Sequence, residues 1–332
     1  MYMKDNKIYI ILCFVSVIIS FITHFGYISG YTKDVASNTT MRSQYDSGIY
    51  KYRILSKYMI VFVDNVLQKT PLNKMENNLS RITKFIDKDG QLSFYFSYFA
   101  INSIFLVLFA TTFFKLMVLL EINPNKKYIL AVTIVTCISL SLFQYVLVFY
   151  DYSSYFFNIL IIYLFHKYLI SNSKTILALM SLTVIIATFN RETAALSISY
   201  MIAFLFDSTE KRMSHSKFLV FPILSYVISY LVLRILFGFE DGLMNKVTLT
   251  LNLVSPLNLF GIFVFIFSVY MFYLFSNNRK ATQKLNYLLI FSIPYLLVSF
   301  ISGITFEIRL WVPVMINMFI LLLFFNFKGL KE

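Results

Sequence analysis

From Lys174 to Asp207 the chain reads KTILALMSLTVIIATFNRETAALSISYMIAFLFD, and between those two ends only Arg191 and Glu192 carry charge. The 15 residues before Asn190 cover roughly 22 Å as a helix, and the 13 after Thr193 cover less, against a hydrocarbon core of about 30 Å. The stretch therefore predicts two short helices joined at a turn that dips below the membrane surface. Arg191 and Glu192 are expected to form an ion pair in that turn, where unpaired charge is costly and is seldom kept without a use.

The rest of the composition agrees with a membrane chain. Of 332 residues, 58% are hydrophobic and only 14% charged, with mean hydropathy +0.72, more apolar matter than a soluble core hides. Cys13 and Cys137 both fall in apolar spans and support neither a disulfide nor a metal framework. The net charge of +13 is dispersed over connections between spans, which reads as topology and argues against nucleic-acid binding. The apolar run from Ile8 to Ile28 is too long for a signal peptide and has no small-x-small cleavage site.

About ten spans are expected, near 8–29, 92–117, 128–149, 154–171, 175–189, 194–206, 218–238, 253–276, 285–303 and 310–327. With the N-terminus cytoplasmic, inside segments hold fifteen basic residues, Lys284 among them, and the short outside connections four. The positive-inside rule then puts both termini in the cytoplasm. Residues 30–91 form a long outer loop with two expected amphipathic helices. Ile54, Leu55, Tyr58, Met59, Phe62 and Val66 share a face before Pro71, and Met75, Leu79, Ile82 and Ile86 share one after it. Lysines and arginines on their polar faces place these helices along the outer interface. No repeat or soluble domain is evident, so residues 1–332 are expected to form one integral membrane domain.

That topology sends most short outer connections an ionisable residue. Asp46 and Arg53 come from the first loop, Asp151 closes the third span, Arg191 and Glu192 make the dipped turn, and Glu307 and Arg309 link the last two spans. Arginine presents a permanently charged planar fork that matches phosphate oxygens, so Arg191, Arg309 and Arg53 are candidates to hold a lipid phosphate. Transfer to a hydroxyl also needs a base: Asp46 is the first candidate and Asp151, between Tyr150 and Tyr152, the second. Glu192 and Glu307 would orient the arginines, or bind a divalent cation if one is used. Bland alternatives stand beside each: an ion pair satisfying a helix break for Arg191 and Glu192, an interfacial anchor for Glu307 and Arg309, a headgroup contact for Arg53 and solvated turns for Asp46 and Asp151. Arg234, Glu240 and Asp241 read as solvated loop charges, His24 as a hydrogen-bonded packing residue, and His166 and His215 as cytoplasmic-edge residues. The histidines have no metal-ligand spacing.

An acidic residue just after the first span, interfacial helices in that loop and a bundle with outward charges resemble the GT-C class of membrane glycosyltransferases. So do the phrases Tyr50-Lys51-Tyr52-Arg53-Ile54-Leu55, Tyr150-Asp151, Asn190-Arg191-Glu192-Thr193 and Glu307-Ile308-Arg309-Leu310 with Pro313, which look like those of bacterial envelope proteins grouped with that class. The resemblance implies an all-α polytopic bundle in a bacterial inner membrane, using a polyprenyl-phosphate-linked sugar and a glycan or lipid acceptor at the outer face. The class often has adjacent acidic residues in the first loop, whereas Asp46 is followed by Ser47. No C-terminal soluble domain of the kind some larger members use for the acceptor is expected. An O-antigen or capsule repeat-unit polymerase remains open. A transporter or flippase would show charges midway along several spans and a pseudo-repeat between halves, and the sequence has neither.

Overall fold

The computed structural model describes residues 5–26, 48–71, 91–144, 148–206, 216–238 and 246–328. Among them are twelve α-helices: α1 (Asp5–Gly26), α2 (Ile54–Gln68), α3 (Leu92–Leu119), α4 (Lys126–Leu142), α5 (Asp151–Ser171), α6 (Lys174–Asn190), α7 (Ala195–Leu205), α8 (Val220–Phe237), α9 (Lys246–Val254), α10 (Pro256–Leu274), α11 (Arg279–Ser302) and α12 (Val312–Lys328). Six of these helices are long and apolar enough to cross a membrane: α1, α3, α5, α8, α10 and α11. α6, α7 and α12 are shorter apolar helices. Asp46, Glu240, Asp241, His215 and the second expected amphipathic helix lie outside the described residues.

Backbone hydrogen bonds stay within each helix, which is what a bilayer demands of a spanning segment. Hydroxyl side chains follow the same rule by bonding back one turn: Thr23 to the Ile19 carbonyl, Thr133 to Ile129 and Thr188 to Val184, each at 2.8 Å. Pro294 lies inside α11 and cannot donate a backbone bond. The orphaned carbonyl is that of Ile290, and at the next carbonyl, Phe291, Ser199 of α7 donates at 2.9 Å, tying the two helices together at the proline.

α3 and α5 form the packed centre, with α1 and α4 against α3, α6 against α5, and α8 outside α6. α7 packs on α11 and α12. The gradient is steep: 61% of the apolar window of α3 is buried but only 11% of that of α10. α10 therefore shows most of its Phe, Ile and Leu side chains outward, an exposure that is sensible only in hydrocarbon. Central polar side chains act as glue instead. Asn158 of α5 donates to Asn317 of α12 at 2.7 Å and accepts from Ser197 of α7 at 2.7 Å, and Asn317 donates to the Leu196 carbonyl at 2.9 Å.

The quoted stretch folds as its length suggests. α6 stops at Asn190, Arg191 is extended, Glu192–Ala194 make a 3-10 turn, and α7 runs only to Leu205. The far end of α7 explains Lys284, which the charge count had treated as a topology signal. It is buried, and its ammonium donates to the Phe204 and Phe206 carbonyls, satisfying the end of a short helix with a cation where the dipole favours one. Lys284→Met keeps the stem and deletes these donors. It should cost about 1–3 kcal/mol, read as a lowered Tm of the full chain in detergent. An unchanged Tm would mean that water reaches those carbonyls.

Three expectations change. Asp151 does not close the third span: α4 ends at Leu142, and Asp151 is the first residue of α5, where a helix N-terminus favours a carboxylate. The eighth span starts at Pro256 rather than 253 and is preceded by the separate helix α9, which was not expected, because proline starts a helix well but does not continue one. α2 forms as expected, but two rows share it. Tyr58, Phe62 and Val66 point outward, whereas Ser56, Ile60 and Asp64 face α3 and α6.

Candidate functional site

Asn190 ends α6 and fastens three segments. Its side-chain oxygen accepts from Ser56 of α2 at 2.7 Å and from Ser153 of α5 at 2.8 Å, and its amide reaches the Tyr150 carbonyl at 3.4 Å. Thr193 and Ser154 share a further hydroxyl contact at 2.7 Å. These bonds fix the next residue, Arg191, against the start of α5.

There Arg191 does not pair with Glu192. Its guanidinium donates to Asp151, and the other oxygen of Asp151 accepts from Arg309 at 3.1 Å. Gln144 also donates toward Asp151, at 3.4 Å. Arg309 is held from its other side by Glu307, which accepts from both Nε, at 3.1 Å, and Nη2, at 2.6 Å. Glu192 turns the opposite way and pairs with Arg53 at 3.2 Å. The reason is geometric: adjacent residues at an extended backbone step project to opposite sides, so Arg191 and Glu192 cannot both face one partner.

Tyr150 stands in the middle. The Arg53, Arg191 and Arg309 guanidinium carbons lie 4.3, 5.4 and 5.9 Å from its ring centre, and Arg53 also lies 5.0 Å from that of Tyr50. The ring face attracts cations and separates three that would otherwise repel. Arg53, Asp151, Arg191 and Arg309 are all buried, while the side chain of Glu192 is 35% exposed. Arg191 Nε is a buried donor with no hydrogen-bond partner among the described residues. Burial works against the charge on Arg309, but Asp151, Tyr150 and Glu307 outweigh it and lift its pKa well above the ordinary guanidinium value.

The segment carrying Glu307 and Arg309 has a scaffold of its own. Asn252 of α9 donates to the Phe300 and Gly303 carbonyls at 2.6 and 2.7 Å and accepts from Thr305 at 3.2 Å. Asn258 of α10 receives Thr305 at 3.0 Å through its carbonyl, Trp311 stacks on Phe265, and Tyr295 donates to the Leu310 carbonyl at 2.8 Å. None of this support was anticipated from the sequence, because Asn252, Asn258 and Tyr295 look like ordinary span residues until their partners are known.

Every site residue expected from the sequence that the structure describes thus falls in one network: Arg53, Asp151, Arg191, Glu192, Glu307 and Arg309. Arg234 is a correction. It is not a solvated loop charge but a buried one, 3.8 Å from the Tyr52 ring centre and 4.9 Å from that of Tyr230. His166, near the end of α5, is buried 2.8 Å from the Tyr200 hydroxyl, and His24 is a packing residue bonded to the Ser20 carbonyl and Asn102. Among the described residues no group of three His, Cys, Asp or Glu side chains gathers as a metal site. An apolar cavity of about 700 Å³ runs along α12 between α4 and α10. Phe143 and Val312 line one end of it, next to Gln144 and close in sequence to Arg309, and Asn277 and Asn326 line the other. No protein-family model, curated protein or solved structure matches this chain.

Proposed function

We propose that the protein is a membrane glycosyltransferase that moves a sugar from an undecaprenyl-type phosphate or diphosphate carrier to a glycan or lipid acceptor. The observation that supports this most is the pair of buried arginines, Arg191 and Arg309, held on one carboxylate with Arg53 across a shared tyrosine ring. Preset guanidinium groups in a dry site stabilise charge developing on a leaving phosphate without reorganising during the reaction. Arg191 Nε, which has no hydrogen-bond partner among the described residues, offers one more bond to a phosphate oxygen. The cavity along α12 has the apolar lining suited to a carrier's hydrocarbon tail.

In this reading the acceptor oxygen bonds to the sugar's anomeric carbon as the bond from that carbon to the phosphate oxygen breaks. The electron pair leaves on the phosphate, and the acceptor proton goes to a carboxylate. Asp151 already accepts from Arg191, Arg309 and Gln144, so its duty here is to bracket the arginines. The base is then Asp46, two residues ahead of the Gly48–Tyr52 turn, or Glu192, the more exposed carboxylate of the network. The surrounding architecture in this proposal is a GT-C-like bundle of about ten spans in a bacterial inner membrane, with both termini cytoplasmic and the site outside.

The test is a transfer assay on membranes containing the full chain, supplied with a polyprenyl-phosphate sugar. The expected result is release of polyprenyl phosphate with one sugar added to the acceptor. Lengthening by whole repeats from a diphosphate-linked oligosaccharide would instead identify a repeat-unit polymerase, and no release from either donor would reject glycosyl transfer.

A further inference from the structure

Each of Arg53, Arg191 and Arg309 has a carboxylate partner, but Arg234 has none among the described residues. Its guanidinium donates to the Tyr230 hydroxyl at 2.9 Å and lies against the Tyr52 and Tyr230 rings. Tyr52 is itself fixed, donating to the Gly238 carbonyl at 2.6 Å just past the end of α8. The α8 C-terminus offsets only about half a unit charge. A guanidinium stacked on its flat faces keeps edge N–H groups for an oxyanion. Beside it Ile235 and Leu236 are 73% and 68% exposed, so this turn faces lipid, where the anion at hand is a headgroup phosphate.

The position also connects to the network already described. Tyr226, Tyr230 and Arg234 follow at helical spacing along one face of α8, and the two tyrosine rings stack at 5.9 Å. Tyr226 reaches the Glu192 carbonyl at 3.4 Å, and Tyr52 precedes Arg53. A half-buried aromatic strip thus runs from Glu192 to Arg234.

We propose that Arg234, Tyr230 and Tyr52 form a second phosphate subsite, and that its ligand is the phosphate headgroup of a lipid-borne acceptor whose attached sugar lies over Tyr230 and Tyr226 toward Glu192. This rests on the glycosyl-transfer reading, and it assigns the acceptor a lipid phosphate distinct from the carrier phosphate at Arg191 and Arg309.

Native mass spectrometry of the full chain released from a neutral detergent counts bound dodecyl phosphate directly. The wild type is expected to take up a second molecule that Arg234→Gln does not, while Arg234→Lys retains it with about tenfold weaker affinity because a lysine lacks the fork. Inorganic phosphate should not displace it at matched concentration; equal competition would overturn the lipid source. If Arg234→Gln fails to fold, Tyr230→Phe removes only the hydroxyl and should weaken the second site about tenfold. A second molecule bound as tightly as in the wild type, in either variant, overturns the subsite. The binding count needs no turnover, so a chain that transfers no sugar yet loses the second phosphate with Arg234 rejects the glycosyl-transfer reading and keeps the subsite. Intact transfer with an unchanged count does the reverse.

Discussion

Arg191→Ala is expected to reduce sugar transfer at least about a hundredfold while the chain stays folded, because a preorganised donor to developing charge is worth about that much. Asp151→Ala is expected to remove both activity and stability. The asymmetry follows from the wiring. Without Arg191, Asp151 still holds Arg309 at 3.1 Å and Gln144 at 3.4 Å, so no buried charge is stranded. Without Asp151, two buried guanidinium groups lose their shared counter-charge, a loss of the kind that costs about 3–5 kcal/mol for even one broken buried pair. Transfer assays and Tm of the detergent-solubilised chain separate the two effects. Full activity in Arg191→Ala would sink the assignment of Arg191 to the phosphate. A wild-type Tm in Asp151→Ala would show that water reaches the arginines.

Gly261→Ala should be nearly as damaging, although it changes one hydrogen to a methyl far from any charge in sequence. A Cβ at Gly261 of α10 would lie 2.2 Å from the Thr305 carbonyl oxygen and 2.7 Å from the Phe306 Cα. Both obstacles are backbone, so no side chain can swing aside, and either α10 or the 303–311 segment must move. That segment carries Glu307 and Arg309, and a displacement of about 1 Å in a positioning group can cost a hundredfold in rate. The expected outcome is a loss of stability of about 1–3 kcal/mol together with a fall in transfer similar to that of an Arg309 substitution. Normal transfer in Gly261→Ala would mean that Arg309 does not need its present position.

Much of this organisation is legible in the residue order. Apolar runs give the helices, and two runs too short for a bilayer mark the break at Arg191. Charges that recur in connections point to one end of the bundle, which is how Arg53, Asp151, Arg191, Glu192, Glu307 and Arg309 can be chosen before their contacts are known. Partners are harder. Arg191 and Glu192 are adjacent in sequence and so suggest each other, but an extended step turns them apart. Arg234 looks like one more loop charge because nothing local shows that Tyr52, 182 positions earlier, lies against it. Lys284 fits the topology rule equally well whether it is exposed or buried at a helix end.

The sequence by itself determined that the chain is helical and apolar, where its short helices break and which charges are unusual, because hydrophobic periodicity, span length and charge placement are local properties. Only the tertiary structure decided that Asp151 brackets Arg191 and Arg309, that Arg53 takes Glu192, that Tyr150 lies among three cations and that Arg234 is buried against the Tyr52 and Tyr230 rings. Ion pairing depends on distances of a few ångströms between segments far apart in the chain, and those distances are set by how Asn190, Asn252, Gly261 and the α3–α5 core bring helix ends together.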